Sequence, residues 1–218
     1  MTGPGMAVGG GDVDGELVHR RTIEFSAFDT GEHLVVDATL RDERPWADGD
    51  RDVRALHDMT LRVAVRKEDL VIDDATAVMA RFPHAECPSI TDAFAGLVGL
   101  NVGRGYTRAV QERFGGAAGC AHLEQLARTV GPVVIQGMTS IRAKARDWSR
   151  LEAEVSERPK LFPRNTCHVF ADGGPAEQKL AAGWRPGIGG YPAPAVEVIL
   201  RRAAEGTLGR DPEPGEPD

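Results

Sequence analysis

The sequence predicts an α+β fold, an antiparallel β-meander packed against a helical second half. Two observations carry that prediction. Apolar residues alternate with period two between Arg21 and Met79, and after Ser89 they recur at helical spacing. A third sets the scale: 218 residues, 41% apolar and 27% charged, suit one globular domain and exclude collagen-like or wholly disordered chains. Residues 1–15 are Gly-rich, and the chain from Arg210 alternates Pro, Glu, Gly and Asp. Disordered tails are therefore expected at 1–15 and 206–218, around a single domain at 16–205.

The elements follow in order. Arg21–Phe28 is rich in strand formers, Asp29–Gly31 makes a turn, and His33–Leu40 is the hairpin partner. Pro45, Trp46 and Asp48–Asp50 form a polar loop. From His57 to Val65, Met59, Leu61, Val63 and Val65 share one face, the pattern of a half-buried antiparallel strand. Lys67–Asp69 turns that strand into the fourth, Leu70–Met79. Ser89 and Thr91 are placed to cap a short helix over Asp92–Val98, stopped near Gly99. A second helix spans Thr107–Phe114 and ends at Gly115-Gly116. The longest begins near Cys120, with Leu123, Leu126, Ala127, Val130 and Val134 as its buried stripe. Pro132 should kink it or divide it from a helix running through Ile141 to Leu151. The Pro- and Gly-rich stretch Glu157–Tyr191 reads as extended chain wrapping the core, and Ala193–Ala204 as a closing helix.

Several functions are excluded. The chain has no P-loop, no Gly-x-Ser-x-Gly elbow and no His-Glu-x-x-His pair. Gly103-Arg104-Gly105 opens like a dinucleotide loop, but Arg108 holds the third glycine's place, so no nucleotide cofactor is expected. A net charge of −7 and 6% aromatic content argue against nucleic acid as a partner. No apolar run approaches the roughly 20 residues that span a bilayer, so no membrane partner is expected. With neither a basic n-region nor an apolar h-region at the start, a cytoplasmic location is expected, where thiols stay reduced. Three cysteines, an odd count, exclude a full disulfide framework.

What remains is a constellation of cysteine and histidine. His57 opens a strand, and Cys87 lies just before Pro88. Cys120 and His122 flank one alanine at a helix start, and Cys167 and His168 are adjacent. Thiolate and imidazole suit zinc or iron, which gather ligands from several loops and a helix end. Cys87, Cys120, His122 and Cys167 are the expected metal ligands; His57, Glu124 and His168 are the expected proton shuttles. A thiolate at Cys120 is the metal-free alternative, since a helix N-terminus favours negative charge. At about 100° per residue Cys120 and His122 diverge if both are helical, so they meet only if Cys120 lies in the cap. Glu124 lies one turn beyond Cys120. The bland reading places the cysteines as core filler and His122 as a half-buried core histidine.

The segments Leu56-His57-Asp58-Met59, Asp74–Met79, Leu97-Val98-Gly99-Leu100, Gly119-Cys120-Ala121-His122-Leu123 and Thr166-Cys167-His168 resemble an uncharacterised bacterial family known as a domain of unknown function. That resemblance implies a shared fold and shared His57, Cys87, Cys120, His122, Cys167 and His168. Ala121 stands where the family has Thr, and Tyr106 where it has Trp. A looser likeness is to iron–sulfur scaffolds of the NifU N-terminal type, through the order Ile72-Asp73-Asp74-Ala75, Cys87, Leu97-Val98-Gly99 and Cys120; the scaffold's cysteine at the head of the middle helix is missing here.

The function expected is a small cytosolic enzyme with a Cys/His metal or thiolate centre, a lyase or hydrolase acting on a small-molecule substrate. The alternatives are a non-catalytic metal or sulfur carrier, and a structural homo-oligomer whose cysteines are core.

Overall fold

The computed structural model describes residues 14–48, 52–145, 165–185 and 192–208. Most of both expected tails, 1–13 and 209–218, lies outside the described residues, as do 49–51, 146–164 and 186–191. Contacts gather into two compact units, Met1–Asp147 and Trp148–Asp218.

In the first unit β1 (Arg20–Asp29), β2 (His33–Glu43), β3 (Ala55–Arg66) and β4 (Ile72–Arg81) form one sheet in the order β1-β2-β3-β4, every neighbour antiparallel. The first turn closes through Gly31, at φ 93°, whose N–H donates to Asp29 Oδ1 at 3.2 Å. Alternation then fixes the register. Leu34, Val36, Ala38 and Leu40 lie opposite Val65, Val63, Leu61 and Met59, and all eight are buried. The outer face is polar, with Arg62 Nη2 donating to Asp37 Oδ2 at 2.7 Å across the strands.

The apolar face shares one core with three helical segments: a 3-10 run at Cys87–Leu97, helix α1 (Tyr106–Phe114) and helix α2 (Ala121–Ala145). The first begins at Cys87, ahead of the short helix expected over Asp92–Val98, and is wound as a 3-10 helix. Ser89 and Thr91 do not cap it; their hydroxyls donate to the carbonyls of Glu86 and Pro88, each at 2.8 Å and three residues back. Those local bonds suit the tighter i→i+3 winding. Phe94 from this run stacks on Phe114 of α1, ring centroids 4.7 Å apart.

Helix α2 is continuous through Pro132 rather than divided by it, and its residues Leu123, Leu126, Ala127, Val130 and Val134 are buried as the stripe predicts. Just before the proline, Gly131 makes room for Tyr106: a Cβ there would lie 3.0 Å from the ring. The Tyr106 hydroxyl donates to the Ala127 carbonyl at 2.9 Å, and burial pushes its phenol well above the usual range. Tyr106→Phe removes one buried hydrogen bond and is expected to cost about 1 kcal/mol. A urea titration checks it; an unchanged midpoint refutes that contribution of the hydrogen bond.

The second unit holds a 3-10 turn at His168–Phe170 and helices α3 (Pro175–Ala181) and α4 (Val196–Ala204), with Ile199 buried. Extended chain was expected across α3. Pro175 instead sits in the first turn, where its fixed φ and missing N–H favour helix, with Glu177 adding charge of the right sign. Pro159, Pro163, Pro186 and Gly187–Gly190 of that stretch, and the expected helical residues 146–151, lie outside the described residues.

Candidate active site

The inward alternation of β2 does not stop at Leu40. The next inward position is Asp42, 1% exposed, a carboxylate where the pattern asks for an apolar side chain. A buried carboxylate is costly unless paired, and the register supplies the pairs. Arg21 of β1 and His57 of β3 lie directly opposite Asp42 on either side. Arg21 forks onto it, Nε to Oδ1 at 2.7 Å and Nη2 to Oδ2 at 2.6 Å. His57 Nδ1 lies 3.0 Å from Oδ2, and His19 Nε2 3.3 Å from Oδ1. The Arg21 fork, ahead of His57 and His122, holds the Asp42 carboxyl down at about 2, and Asp42 in turn raises the Arg21 guanidinium.

Helix α2 brings the fourth side. His122 Nε2 faces Asp42 Oδ2 at 3.5 Å, and its ring lies against His57, centroids 4.0 Å apart and tilted by 37°. Burial holds the His122 imidazole below its ordinary range, with the neighbouring His57 and Arg21 adding to the effect and Asp42 opposing it. The Asp42 carboxylate on the Nε2 side favours the neutral tautomer with its proton on Nε2, which leaves the Nδ1 lone pair free. Cys120 Sγ lies 3.9 Å from Nδ1. The contact exists because α2 starts at Ala121, leaving Cys120 outside the helix, where its carbonyl accepts the Glu124 N–H at 2.8 Å. Cys120 also lines a pocket of about 390 Å³ with Met79, His84, Glu86, Cys87, Ile90 and Gly119.

The structure thus brings together His57, Cys120 and His122, with Cys87 on the same pocket as Cys120. Glu124 is engaged elsewhere, 3.6 Å from Arg128 in an ion pair one turn along α2. Cys167 and His168 belong to the second unit, with Cys167 exposed. Among the described residues the trio whose ligand atoms converge closely enough for an ion is Asp42, His57 and His122. It shares only His122 with the ligand set expected from the sequence. The sequence reading missed Asp42 and Arg21.

The family model described as Protein of unknown function (DUF2889) matches residues 19–136. The chain belongs to that family. The DUF2889 span contains Arg21, Asp42, His57, Cys120 and His122, all of the site, and ends within α2. No curated protein and no solved structure matches the chain, so the likeness to iron–sulfur scaffolds rests on motif order alone. No helix among the described residues of this DUF2889 protein is long and apolar enough to cross a membrane.

Proposed function

We propose that this protein is a thiol-dependent hydrolase of small acyl compounds, with Cys120 as nucleophile, His122 as base and Asp42 as the positioning carboxylate. One observation carries the reading: at the N-terminus of a long helix, His122 faces Asp42 at 3.5 Å through one ring nitrogen and Cys120 at 3.9 Å through the other. A nucleophile, a base and a group that orients the base are the recurring parts of acyl-transfer sites. The Arg21 fork balances the Asp42 charge and holds the carboxylate in place beside His122.

The steps use this chain's own groups. His122 Nδ1 takes the Sγ proton, and the sulfur electron pair forms a bond to the substrate carbonyl carbon. The carbonyl π pair moves to oxygen, at a helix end whose first N–H groups favour negative charge. That pair returns, the bond to the leaving group breaks, and the leaving group takes the proton from His122. Water, deprotonated by His122, then attacks the thioester; the acid departs and Sγ regains its proton. The Cys120 pocket, with Met79, Ile90 and Cys87 in its lining, suits a small apolar acyl group.

Intact-mass spectrometry with an activated aryl ester tests this. One acyl adduct is expected, absent in Cys120→Ala and retained in Cys87→Ala and Cys167→Ala. His122→Ala should slow its formation by about 10²- to 10⁴-fold. An adduct that persists in Cys120→Ala sinks the proposal.

A further inference from the structure

Three ligand atoms from three different elements converge beneath the nucleophile. Asp42 from β2, His57 from β3 and His122 from α2 each offer one ligand atom, and those atoms all lie within 4.8 Å of one another. Asp42 Oδ2 is 3.0 Å from His57 Nδ1 and 3.5 Å from His122 Nε2. A tetrahedral zinc with bonds of about 2.1 Å holds neighbouring ligand atoms about 3.4 Å apart, so both oxygen–nitrogen separations are within tenths of an ångström of that spacing. Two imidazoles and one carboxylate select zinc and its transition-metal neighbours over magnesium or calcium.

The surroundings fit the same ion. Arg21 Nη2 shares Oδ2 and must yield it, but Arg21 Nε at 2.7 Å and His19 at 3.3 Å keep hold of Oδ1. The carboxylate then binds through one oxygen and is oriented through the other, as metal-ligating carboxylates commonly are. Cys120 Sγ lies on the Nδ1 side of the His122 ring, away from the ligating nitrogen, so the fourth position of a tetrahedral ion would fall to a water.

We propose that Asp42, His57 and His122 form a zinc site whose filling switches off the thiol chemistry of Cys120. The switch rests on the hydrolase reading; the zinc site itself does not. Once Nε2 binds zinc, the neutral ring carries its proton on Nδ1. His122 then donates toward Cys120 and no longer accepts from it, and Asp42 is withdrawn from its positioning role.

The experiment uses the full chain, stripped with chelator and titrated with zinc against a chromophoric chelator. One equivalent should bind. His57→Gln and Asp42→Asn should weaken it at least tenfold, with circular dichroism confirming their fold, and Cys120→Ser should leave the affinity unchanged. Cobalt in place of zinc should give tetrahedral bands without a sulfur charge-transfer band. In the wild type, acylation by the activated ester should fall in step with occupancy. Equal affinity in His57→Gln and Asp42→Asn, or a strong sulfur–cobalt band, overturns the site. Zinc that raises turnover, or leaves it unchanged while bound, overturns the switch. If Cys120 never acylates, the hydrolase reading and the switch fail together, while the binding arm still decides the site.

Discussion

Asp42→Asn is expected to lower kcat for ester turnover by about 10²- to 10⁴-fold with KM nearly unchanged. An amide keeps the shape of the carboxylate but not its charge. It no longer compels His122 to keep its proton on Nε2, so the Nδ1 lone pair facing Cys120 is lost in part of the population. The acid limb of the pH–rate profile supplies a readout that a structural role would not move. That limb marks protonation of His122, which burial, His57 and Arg21 already hold below the ordinary imidazole range, Asp42 alone pulling the other way. Removing the carboxylate charge therefore shifts the limb to still lower pH. A variant that merely loses active protein keeps the wild-type limb, and that outcome sinks the positioning role. Stability follows the opposite titration. The Asp42 carboxyl is depressed from 3.8 to about 2, so its contribution is complete above about pH 4 and disappears as the pH falls through about 2. The stability gap between wild type and Asp42→Asn should close over that window.

Gly119→Ala should damage both fold and chemistry. The residue is extended, at φ −153°, so backbone preference is not the obstacle. The obstacle is space: a Cβ would lie 2.2 Å from the Phe114 carbonyl oxygen and 2.9 Å from its carbon. Both are main-chain atoms that no rotamer change can clear. The segment from Phe114 to Cys120 must move, at a cost of about 1–3 kcal/mol. Cys120 moves with it, and a displacement of about 1 Å costs roughly 10²-fold in rate. Gly96→Ala is the control, because its Cβ would meet the Phe114 ring at an ordinary 3.5 Å. Urea midpoints and acylation rates measured together decide the matter. A Gly119→Ala protein acylated at the wild-type rate shows that this close approach does not place the thiol.

The sheet was legible because one buried face imposes period two, and four such segments in succession leave a meander as the economical topology. The winding of Cys87–Leu97 was not, because hydroxyl-to-carbonyl bonds choose between 3-10 and α geometry and leave no periodic trace. Cys120, His122 and His57 stand out by chemistry alone. Their meeting depended on where α2 begins, and Cys120 just outside the helix meets the condition the helical wheel sets. Glu124 looked well placed for the same reason, but Arg128 one turn on claims it. Asp42 escapes a reading that ends the second strand at Leu40, whereas the strand runs on to Glu43. Counted two residues further, the inward series Leu34, Val36, Ala38, Leu40 places a carboxylate in the core, and the turn at Asp29–Gly31 sets Arg21 beside it. A charged residue that continues a buried alternation is a signal available from sequence.

The meander also governs when the chemistry becomes possible. Every strand pairs with its neighbour in sequence, so the sheet closes through short connections and needs no distant partner to form. It carries Arg21, Asp42 and His57 into register by itself. Cys120 and His122 arrive only when the start of α2 docks on it. Reactivity is then lost whenever that docking is lost, even where the sheet persists. A partial opening that frees the head of α2 would silence the thiol while the amides of β2 and β3 remain protected from hydrogen exchange.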